Sequence, residues 1–125
     1  IVNPAGETED SARRFPTASF LVCKAVGQAP RLDYEIAAEP FSPEWVAGMF
    51  MLFRSEIFAE VSGFDERYFL YYEDVDLCRR LRRRGYDVRL VPAVTAVHDA
   101  RRESRRSLRH LRWHLASALR FLLSR

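Results

Sequence analysis

The pattern of apolar and polar positions, punctuated by glycine, predicts three short helices in the first two thirds of the chain. These helices are Pro16–Val26, Ser55–Val61 and Glu73–Arg84. A glycine follows each of them within two residues, as is usual at helix C-termini. Ser55 is expected to cap the second helix, because its hydroxyl can accept a hydrogen bond from the first turn. The third helix starts with acids and ends with arginines, which suits the helix dipole.

Extended segments lie on both sides of the third predicted helix. Val46–Phe53 is a continuous apolar run broken only by Gly48, and it predicts a buried strand. Tyr86–Val91 alternates between polar and apolar residues and ends at Pro92, so it predicts a second strand. Val94–His98 is a further short extended run. Loops are expected over residues 1–14, 28–44 and 64–72.

A long amphipathic helix is predicted from Ser104 to the end of the sequence. Five leucines keep a spacing of three to four residues along it, namely Leu108, Leu111, Leu115, Leu119 and Leu122. Arginines are frequent around this stripe, and two interpretations follow. The helix lies on an anionic membrane surface, or it packs on the domain with a solvated arginine face.

Composition narrows the class of protein. The chain has 125 residues, of which 48% are hydrophobic, and this suits one small globular domain. Its apolar runs are too short to span a membrane, and no secretory signal is visible. Cys23 and Cys78 form neither a disulfide framework nor a zinc motif, so a reducing cytosol is the simplest setting. The first residue is Ile1 rather than methionine, which favours a fragment of a longer protein.

Charge is divided unevenly along the chain. Residues 1–78 carry 6 basic and 14 acidic side chains, a net of −8, whereas residues 79–125 carry 14 basic and 3 acidic side chains, a net of +11. Nineteen of the 20 basic residues are arginine, which binds phosphate groups in bidentate geometry. An anionic membrane, a phosphate-bearing ligand and nucleic acid are therefore candidate partners. A merely solvated arginine surface is the alternative.

Residues 68–78 combine aromatic rings with three carboxylates, Glu73, Asp74 and Asp76. Carboxylates beside apolar rings lose solvation, which tunes their pKa values for proton transfer. Asp74 is expected at or near the helix cap, and Asp76 lies roughly 200° further round the helix, so the two do not face each other. The alternatives are that all three are ordinary first-turn acids, or that Asp74-Val75-Asp76 holds a divalent ion.

Six short motifs follow one another between residues 45 and 98. They are Trp-Val-Ala-Gly at 45–48, Arg54, Gly-Phe-Asp-Glu at 63–66, Phe-Leu-Tyr-Tyr-Glu-Asp-Val-Asp-Leu-Cys-Arg-Arg at 69–80, Gly-Tyr at 85–86 and Val-His at 97–98. In this order the series resembles the C-terminal half of glycosyltransferase family 2, particularly its bacterial rhamnosyltransferase-like members. The resemblance is strongest over residues 40–100.

The resemblance implies a fold and a reaction. The fold class is α/β, the C-terminal portion of a GT-A, Rossmann-like domain. Residues 1–100 would form its acceptor-side half and residues 101–125 a basic amphipathic helix. The implied reaction is an inverting transfer from a nucleotide-sugar donor to a hydroxyl of a glycan or a lipid-linked glycan. Asp74 matches the general base of the family, and Glu73 is expected to support Asp74 or to contact the acceptor.

Further site residues also come from the resemblance. Trp45 and Gly48 match the segment that lines the acceptor and donor pocket. Independently of the resemblance, the rings of Tyr68, Phe69, Tyr71 and Tyr72 are expected to be mostly core, with one of them, Tyr72, stacking on a sugar. His98 matches a metal-binding histidine, although a histidine after an apolar strand is by itself more often structural. The implied cofactor is Mg²⁺ or Mn²⁺, which would stabilise the departing nucleotide diphosphate.

Parts of the family pattern are missing. Nothing in residues 1–44 resembles the nucleotide-binding half with its Asp-x-Asp motif. Arg112-Trp113 lacks the glutamine of the Gln-x-x-Arg-Trp motif of processive members, which favours a non-processive enzyme. The chain alone is therefore expected to be inactive. Without partner strands the Val46–Phe53 face is expected to be exposed, which favours self-association.

Two functional hypotheses remain. The first is the acceptor-side half of a metal-dependent glycosyltransferase, located in the cytoplasm and peripheral at the inner face of the membrane. The second is a non-catalytic basic module that binds an anionic membrane surface or nucleic acid through the arginine-rich C-terminal half. Carboxylates among aromatic rings favour the first hypothesis, because an anion-binding module has no need of them, and they disfavour nucleic acid as the partner.

Overall fold

A computed structural model describes residues 1–28, 32–36, 38–99 and 107–124 of the chain. Its elements are β1 (Ala12–Arg13), α1 (Ala18–Ala25), β2 (Trp45–Val46), α2 (Ser55–Glu60), α3 (Glu73–Arg83) and α4 (Leu108–Leu123). The three short predicted helices are confirmed as α1, α2 and α3; the starts of α2 and α3 are as predicted, and the other ends are displaced by one or two residues. The cap prediction is wrong, because Arg54 is the N-cap of α2 and no side chain caps it.

The two strands form a short antiparallel pair. Ala12 lies opposite Val46 and Arg13 opposite Trp45. One further hydrogen bond extends the pairing beyond the two strands. The backbone N–H of Ala47, just after β2, donates to the carbonyl of Ser11, just before β1, at 2.8 Å. The expectation that residues 1–14 form only a loop is therefore wrong at β1. The pairing places Arg13 and Trp45 side by side next to the start of α3.

The predicted buried strand over Val46–Phe53 is wrong beyond Val46. Phe50 is 62% exposed and Leu52 is 91% exposed, which confirms the expected exposure of this face. A strand is stabilised by backbone hydrogen bonds to a neighbour. In the part of the chain that the structure describes, β1 is the strand that pairs with this segment, and it reaches only Trp45–Val46.

The other predicted extended segments are reduced to isolated bridges. In Tyr86–Val91, Leu90 exchanges two backbone hydrogen bonds with Phe41, at 2.9 and 3.2 Å. In the run from 94 to 98, Val97 forms a parallel bridge with Val2. The predicted strand over Tyr86–Val91 is therefore wrong, and each of the two segments keeps only a single bridge among the described residues.

α3 forms the centre of the core. Val75, Leu77, Cys78 and Leu81 are buried along one side of it, and the helix packs against β2. The Cys78 thiol is fully buried, and burial raises its pKa to about 11. This cysteine is therefore a core residue, with little thiolate near neutral pH.

Asp76 ties α3 to its neighbours. Only 5% of the residue is exposed, and its carboxylate forms ion pairs with Arg79 at 3.1 Å and Arg80 at 2.6 Å. Arg80 also donates to the carbonyl of Gly63, after α2, at 2.7 Å. Arg79 donates to the carbonyl of Phe121, in α4, at 3.0 Å. Asp76 thus has a structural role, and it does not pair with Asp74 as a metal ligand.

α4 packs on the rest of the molecule through aromatic and small polar side chains. The ring of Trp113 lies 5.0 Å from that of Phe69. The Ser117 hydroxyl donates to the carbonyl of Leu70 at 2.9 Å, and Phe121 is buried in the core. These contacts attach α4 to the turn that precedes α3.

The leucine stripe of α4 faces solvent. The exposed leucines are Leu108, Leu111, Leu115, Leu119, Leu122 and Leu123. The helix does pack on the domain with its arginines exposed, as one of the two interpretations expects, but the leucine stripe lies on the exposed side as well. The predicted first turn, residues 104–106, lies outside the described residues. Among the described helices, none has the length and apolar character needed to cross a membrane.

Candidate active site

Two tyrosines with unusual backbone geometry precede α3. Tyr71 has φ 67° and Tyr72 has φ 70°, both in the left-handed region that bulky residues seldom adopt. Such conformations cost roughly 1–3 kcal/mol each and are concentrated at functional sites. The turn places both rings 5.3 Å from the imidazole of His114 in α4. The strained segment therefore holds aromatic side chains where α3 begins.

Asp74, the second residue of α3, is held in one orientation by two backbone donors. The N–H of Gly48 donates to Oδ2 at 2.8 Å, and the N–H of Val75 donates to Oδ1 at 2.8 Å. Burial raises the pKa of the Asp74 carboxyl, and these hydrogen bonds oppose the shift only in part. Each oxygen keeps a second lone pair. A fixed carboxylate with a raised pKa is well suited to accept a proton from a hydroxyl group.

Gly48 and Trp45 border this carboxylate. A Cβ atom added at Gly48 would lie 3.4 Å from Asp74 Oδ2, so glycine leaves room for the backbone to approach the carboxylate. Trp45 is buried, and its indole N–H donates to the carbonyl of Arg14 at 2.8 Å. The structure thus brings both predicted residues to Asp74, and their contact with a substrate stays a prediction.

Glu73 is half-buried beside Asp74. Its Oε2 atom is buried and has no hydrogen-bond partner among the described residues. Desolvation is the main cause that raises the pKa of Glu73, and the charge of Asp74 adds to it. Among the described residues, no hydrogen bond joins Glu73 to Asp74. The predicted support of Asp74 by Glu73 is therefore not seen as a direct contact. Because this oxygen is enclosed as well as unpaired, it is a buried acceptor that the described residues leave unsatisfied.

These side chains line a cleft of about 150 Å³. Four of the six predicted site residues lie in its wall, namely Trp45, Tyr72, Glu73 and Asp74. Complete small-molecule sites enclose roughly 300–1,000 Å³, so this cleft accommodates part of a larger ligand. Aromatic rings give it apolar walls, and carboxylates give it acceptors for hydroxyl groups. This combination suits a sugar ring.

Sequence reasoning missed several residues of the cleft, among them Arg13 and His114. The Arg13 guanidinium lies 5.2 Å from the centre of the Trp45 ring and forms an ion pair with Asp10 at 2.9 Å. Its positive charge also lowers the pKa of Asp74, against the effect of burial. Neither residue belongs to a local motif. The β1–β2 pairing and the docking of α4 bring them to the cleft, so no signal in the sequence could have found them.

His98 is not among the residues that line the cleft. Its Nδ1 atom is buried without a hydrogen-bond partner in the described part of the chain, which would suit a metal ligand. Across residues 1–28, 32–36, 38–99 and 107–124, however, no three His, Cys, Asp or Glu side chains are grouped to hold a metal ion. One nitrogen is not a donor set for Mg²⁺ or Mn²⁺, which prefer several oxygen ligands. The described residues therefore do not form a metal site by themselves.

Comparison with known proteins identifies the family. Residues 27–116 match the family model described as "Glycosyltransferase like family 2". The chain is 40% identical over 115 residues to rhamnosyltransferase WbbL of Escherichia coli K12, a match that covers 90% of this chain and 44% of that protein. It is 42% identical over 135 residues to the N-acetylglucosaminyl-diphospho-decaprenol L-rhamnosyltransferase of Mycobacterium tuberculosis H37Rv, covering 100% of this chain and 44% of that protein.

The chain belongs to glycosyltransferase family 2, as its motifs predicted. Within that family it is rhamnosyltransferase-like. A hexosyltransferase of low-salt glycan biosynthesis, Agl10 of Haloferax volcanii, is a more distant relative, 26% identical over 85 residues that cover 67% of this chain and 27% of that protein. The chain spans less than half the length of these relatives. No solved structure matches it.

Family membership implies the GT-A fold, and the mixed helices and strands are compatible with part of such a domain. Members of the family generally use nucleotide-sugar donors and a divalent metal ion.

Proposed function

We propose that this chain carries the acceptor-binding, general-base part of an inverting glycosyltransferase. The observation that supports the proposal is Asp74, a carboxylate with a raised pKa, oriented by two backbone N–H groups in an aromatic cleft. Asp74 takes the proton of the acceptor hydroxyl while the acceptor oxygen bonds to the anomeric carbon of the donor. The bond from that carbon to the diphosphate oxygen breaks, and the nucleotide diphosphate leaves with the electron pair. Attack on the opposite face inverts the configuration.

Three neighbours of Asp74 have supporting roles in this proposal. Glu73, which lines the same cleft, accepts a hydrogen bond from a second acceptor hydroxyl. The rings of Trp45 and Tyr72 form apolar walls that hold the acceptor sugar. Burial raises the pKa of Tyr72 to about 12, so its phenol stays protonated and able to donate near neutral pH.

The names of the relatives support a substrate class. One is a rhamnosyltransferase, and another transfers L-rhamnose to N-acetylglucosaminyl-diphospho-decaprenol. We propose a nucleotide-activated rhamnose as the donor and a glycan or lipid-linked sugar as the acceptor, in a non-processive step of cell-envelope glycan assembly. A lipid-linked acceptor stays in its bilayer, so the proposed location is the cytoplasm, peripheral at the inner face of the membrane.

A divalent ion, Mg²⁺ or Mn²⁺, is proposed as the cofactor, with His98 as one of its ligands. When bound, it would stabilise negative charge on the leaving diphosphate. His98→Ala in the full-length protein should raise the metal concentration needed for half-maximal activity. His110→Ala is the matched control, because its Nδ1 is likewise buried without a partner among the described residues. Equal metal titrations for the two variants would remove His98 from the proposal.

A transfer assay with Asp74→Asn in the full-length protein tests the proposed reaction. Sugar transfer should be lost while donor affinity, measured by calorimetry, stays the same, because a general base is not needed for donor binding. Asp87→Asn, at an exposed ion pair, is the control for a simple loss of charge. Turnover that survives in Asp74→Asn would contradict the assignment.

The alternative function, a non-catalytic basic module, makes the opposite prediction. It expects Asp74 to be dispensable and binding to nucleic acid to fall steeply with salt. The exposed leucines of α4 do not favour nucleic acid, since a phosphate backbone leaves apolar side chains uncovered.

A further inference from the structure

α4 presents two faces of different chemistry. Its inner face packs on the molecule through Trp113, His114 and Phe121. Its outer face carries six leucines that are between 39% and 81% exposed: Leu108, Leu111, Leu115, Leu119, Leu122 and Leu123. At roughly 100° per residue, these leucines centre about 150° from the packed positions. We call them the leucine face, and the described residues leave it open to solvent.

Positive charge accompanies the leucine face. Arg109, Arg112 and Arg120 are exposed on α4, and the helix contains no acidic residue. Arginine side chains can lay their apolar stems on a hydrophobic surface while the guanidinium groups reach phosphate oxygens. Arg109 already stacks on Trp113, with 4.6 Å between its guanidinium carbon and the ring centre. An apolar stripe beside basic residues is characteristic of helices that lie in a membrane interface.

Charge complementarity distinguishes between possible occupants of this surface. A second copy packed through the leucines would bring two sets of arginines together, and α4 offers no carboxylate to pair with them. An anionic bilayer accommodates both the arginines and the leucines of α4, because its headgroups pair with the arginines and its acyl region covers the leucines.

We propose that the leucine face of α4 docks on an anionic phospholipid bilayer. The inner face of the same helix supplies His114 to the cleft that contains Asp74. One helix would then hold the cleft at the surface in which a lipid-linked acceptor resides. This last step rests on the proposed function, whereas the docking itself can be measured without any transfer reaction.

Vesicle flotation of the full chain tests the docking. The chain should float with vesicles of phosphatidylglycerol and phosphatidylcholine, bind less as salt is added, and bind poorly to phosphatidylcholine alone. Leu115→Gln combined with Leu119→Gln should lower partitioning about tenfold or more, since two apolar side chains no longer enter the bilayer. Gln is a good helix former, so circular dichroism should show the helix retained.

Phe50→Gln combined with Leu52→Gln is the matched control, because these exposed apolar residues lie outside α4. This pair should leave partitioning unchanged.

A second pair of variants tests the charge. Arg112→Gln with Arg120→Gln should reduce binding to anionic vesicles several-fold, by about the contribution of two surface cations. Arg54→Gln with Arg83→Gln removes the same charge from exposed positions elsewhere and should have a smaller effect.

Three results would overturn the proposal. The first is a wild-type chain that stays out of the lipid fraction, and the second is equal loss of binding in the leucine pair and its control. The third is self-association that the leucine pair abolishes, which would make a second copy the occupant. In the full-length protein, transfer to a short water-soluble acceptor should be unchanged by the leucine pair. If Asp74→Asn retains turnover, the proposed function fails while the vesicle result still decides the docking.

Discussion

Asp74 and Asp76 are two residues apart in α3 and lie in opposite environments. Asp76 points into the core, where two arginines satisfy its carboxylate. Asp74 points into the cleft, where backbone N–H groups hold it and burial raises its pKa. A helix turns by roughly 200° over two residues, so one short segment serves both the core and the site. The comparison predicts that loss of Asp76 affects stability, whereas loss of Asp74 affects reactivity.

The largest expected effect is on turnover in Asp74→Asn. In the full-length protein, kcat should fall by roughly 10²–10⁴-fold, the usual contribution of a general base. The free energy of unfolding should change by less than about 1 kcal/mol, because the lost hydrogen-bond acceptor is offset by relief of a buried charge. Parallel rate and urea-denaturation measurements check this. A large loss of stability in this variant would make Asp74 a structural residue like its neighbour.

The next largest effect is on stability in Asp76→Asn. Arg79 and Arg80 would be left without their carboxylate, and we expect a loss of roughly 3 kcal/mol in the free energy of unfolding. Asp87→Asn is the matched control, because the Asp87–Arg89 pair is exposed and should contribute little. Urea denaturation compares the two. Equal stabilities would show that the buried ion pairs do not hold α3 in place.

His114→Ala should weaken acceptor binding. The imidazole packs against Tyr71 and Tyr72 in the cleft, so its removal should raise the acceptor KM roughly tenfold and change kcat little. His110 lies one turn earlier on α4, against Trp113 and outside the cleft lining, and its alanine variant is the control. Steady-state kinetics at varied acceptor concentration separate the two histidines. A similar KM in both variants would exclude His114 from the acceptor site.

The smallest expected effect is on the pH profile. Because the base must be ionised, activity should fall as pH decreases through the raised pKa of Asp74. Arg13 lowers that pKa, so Arg13→Gln should move the acidic limb to higher pH. Arg89→Gln is the control, since that guanidinium pairs with Asp87 and Arg89 is not among the residues that line the cleft. The pH dependence of kcat/KM checks this, and an unmoved limb would show that Asp74 does not govern it.

The raised pKa of Asp74 also predicts the sign of its effect on stability. The folded state favours the protonated carboxyl, so the contribution of this group is fully present below the ordinary pKa of 3.8. It is lost as pH rises through the raised folded-state pKa. Asp74→Asn should therefore show a weaker decline in stability over that interval than the wild type.

Local signals predicted the helices well, because the residues that start and end a helix lie within a few positions of it in the chain. Acidic and basic ends and a following glycine located α3 to within one residue at its C-terminus. Apolar runs were less informative for strands, since a run such as Val46–Phe53 becomes a strand only where a partner lies alongside. Motif resemblance placed Trp45, Glu73 and Asp74 in one site, and the structure does bring them to one cleft.

By itself, the sequence determined the family, the helices and the short segment that carries both aspartates, because each depends on residues close together in the chain. Only the tertiary structure decided which aspartate faces the cleft, that Arg13 and His114 join it, and that the leucines of α4 face outward. The leucine spacing predicts a stripe but not its direction. That direction depends on which face finds complementary partners: here Trp113 packs against Phe69, and Phe121 packs in the core.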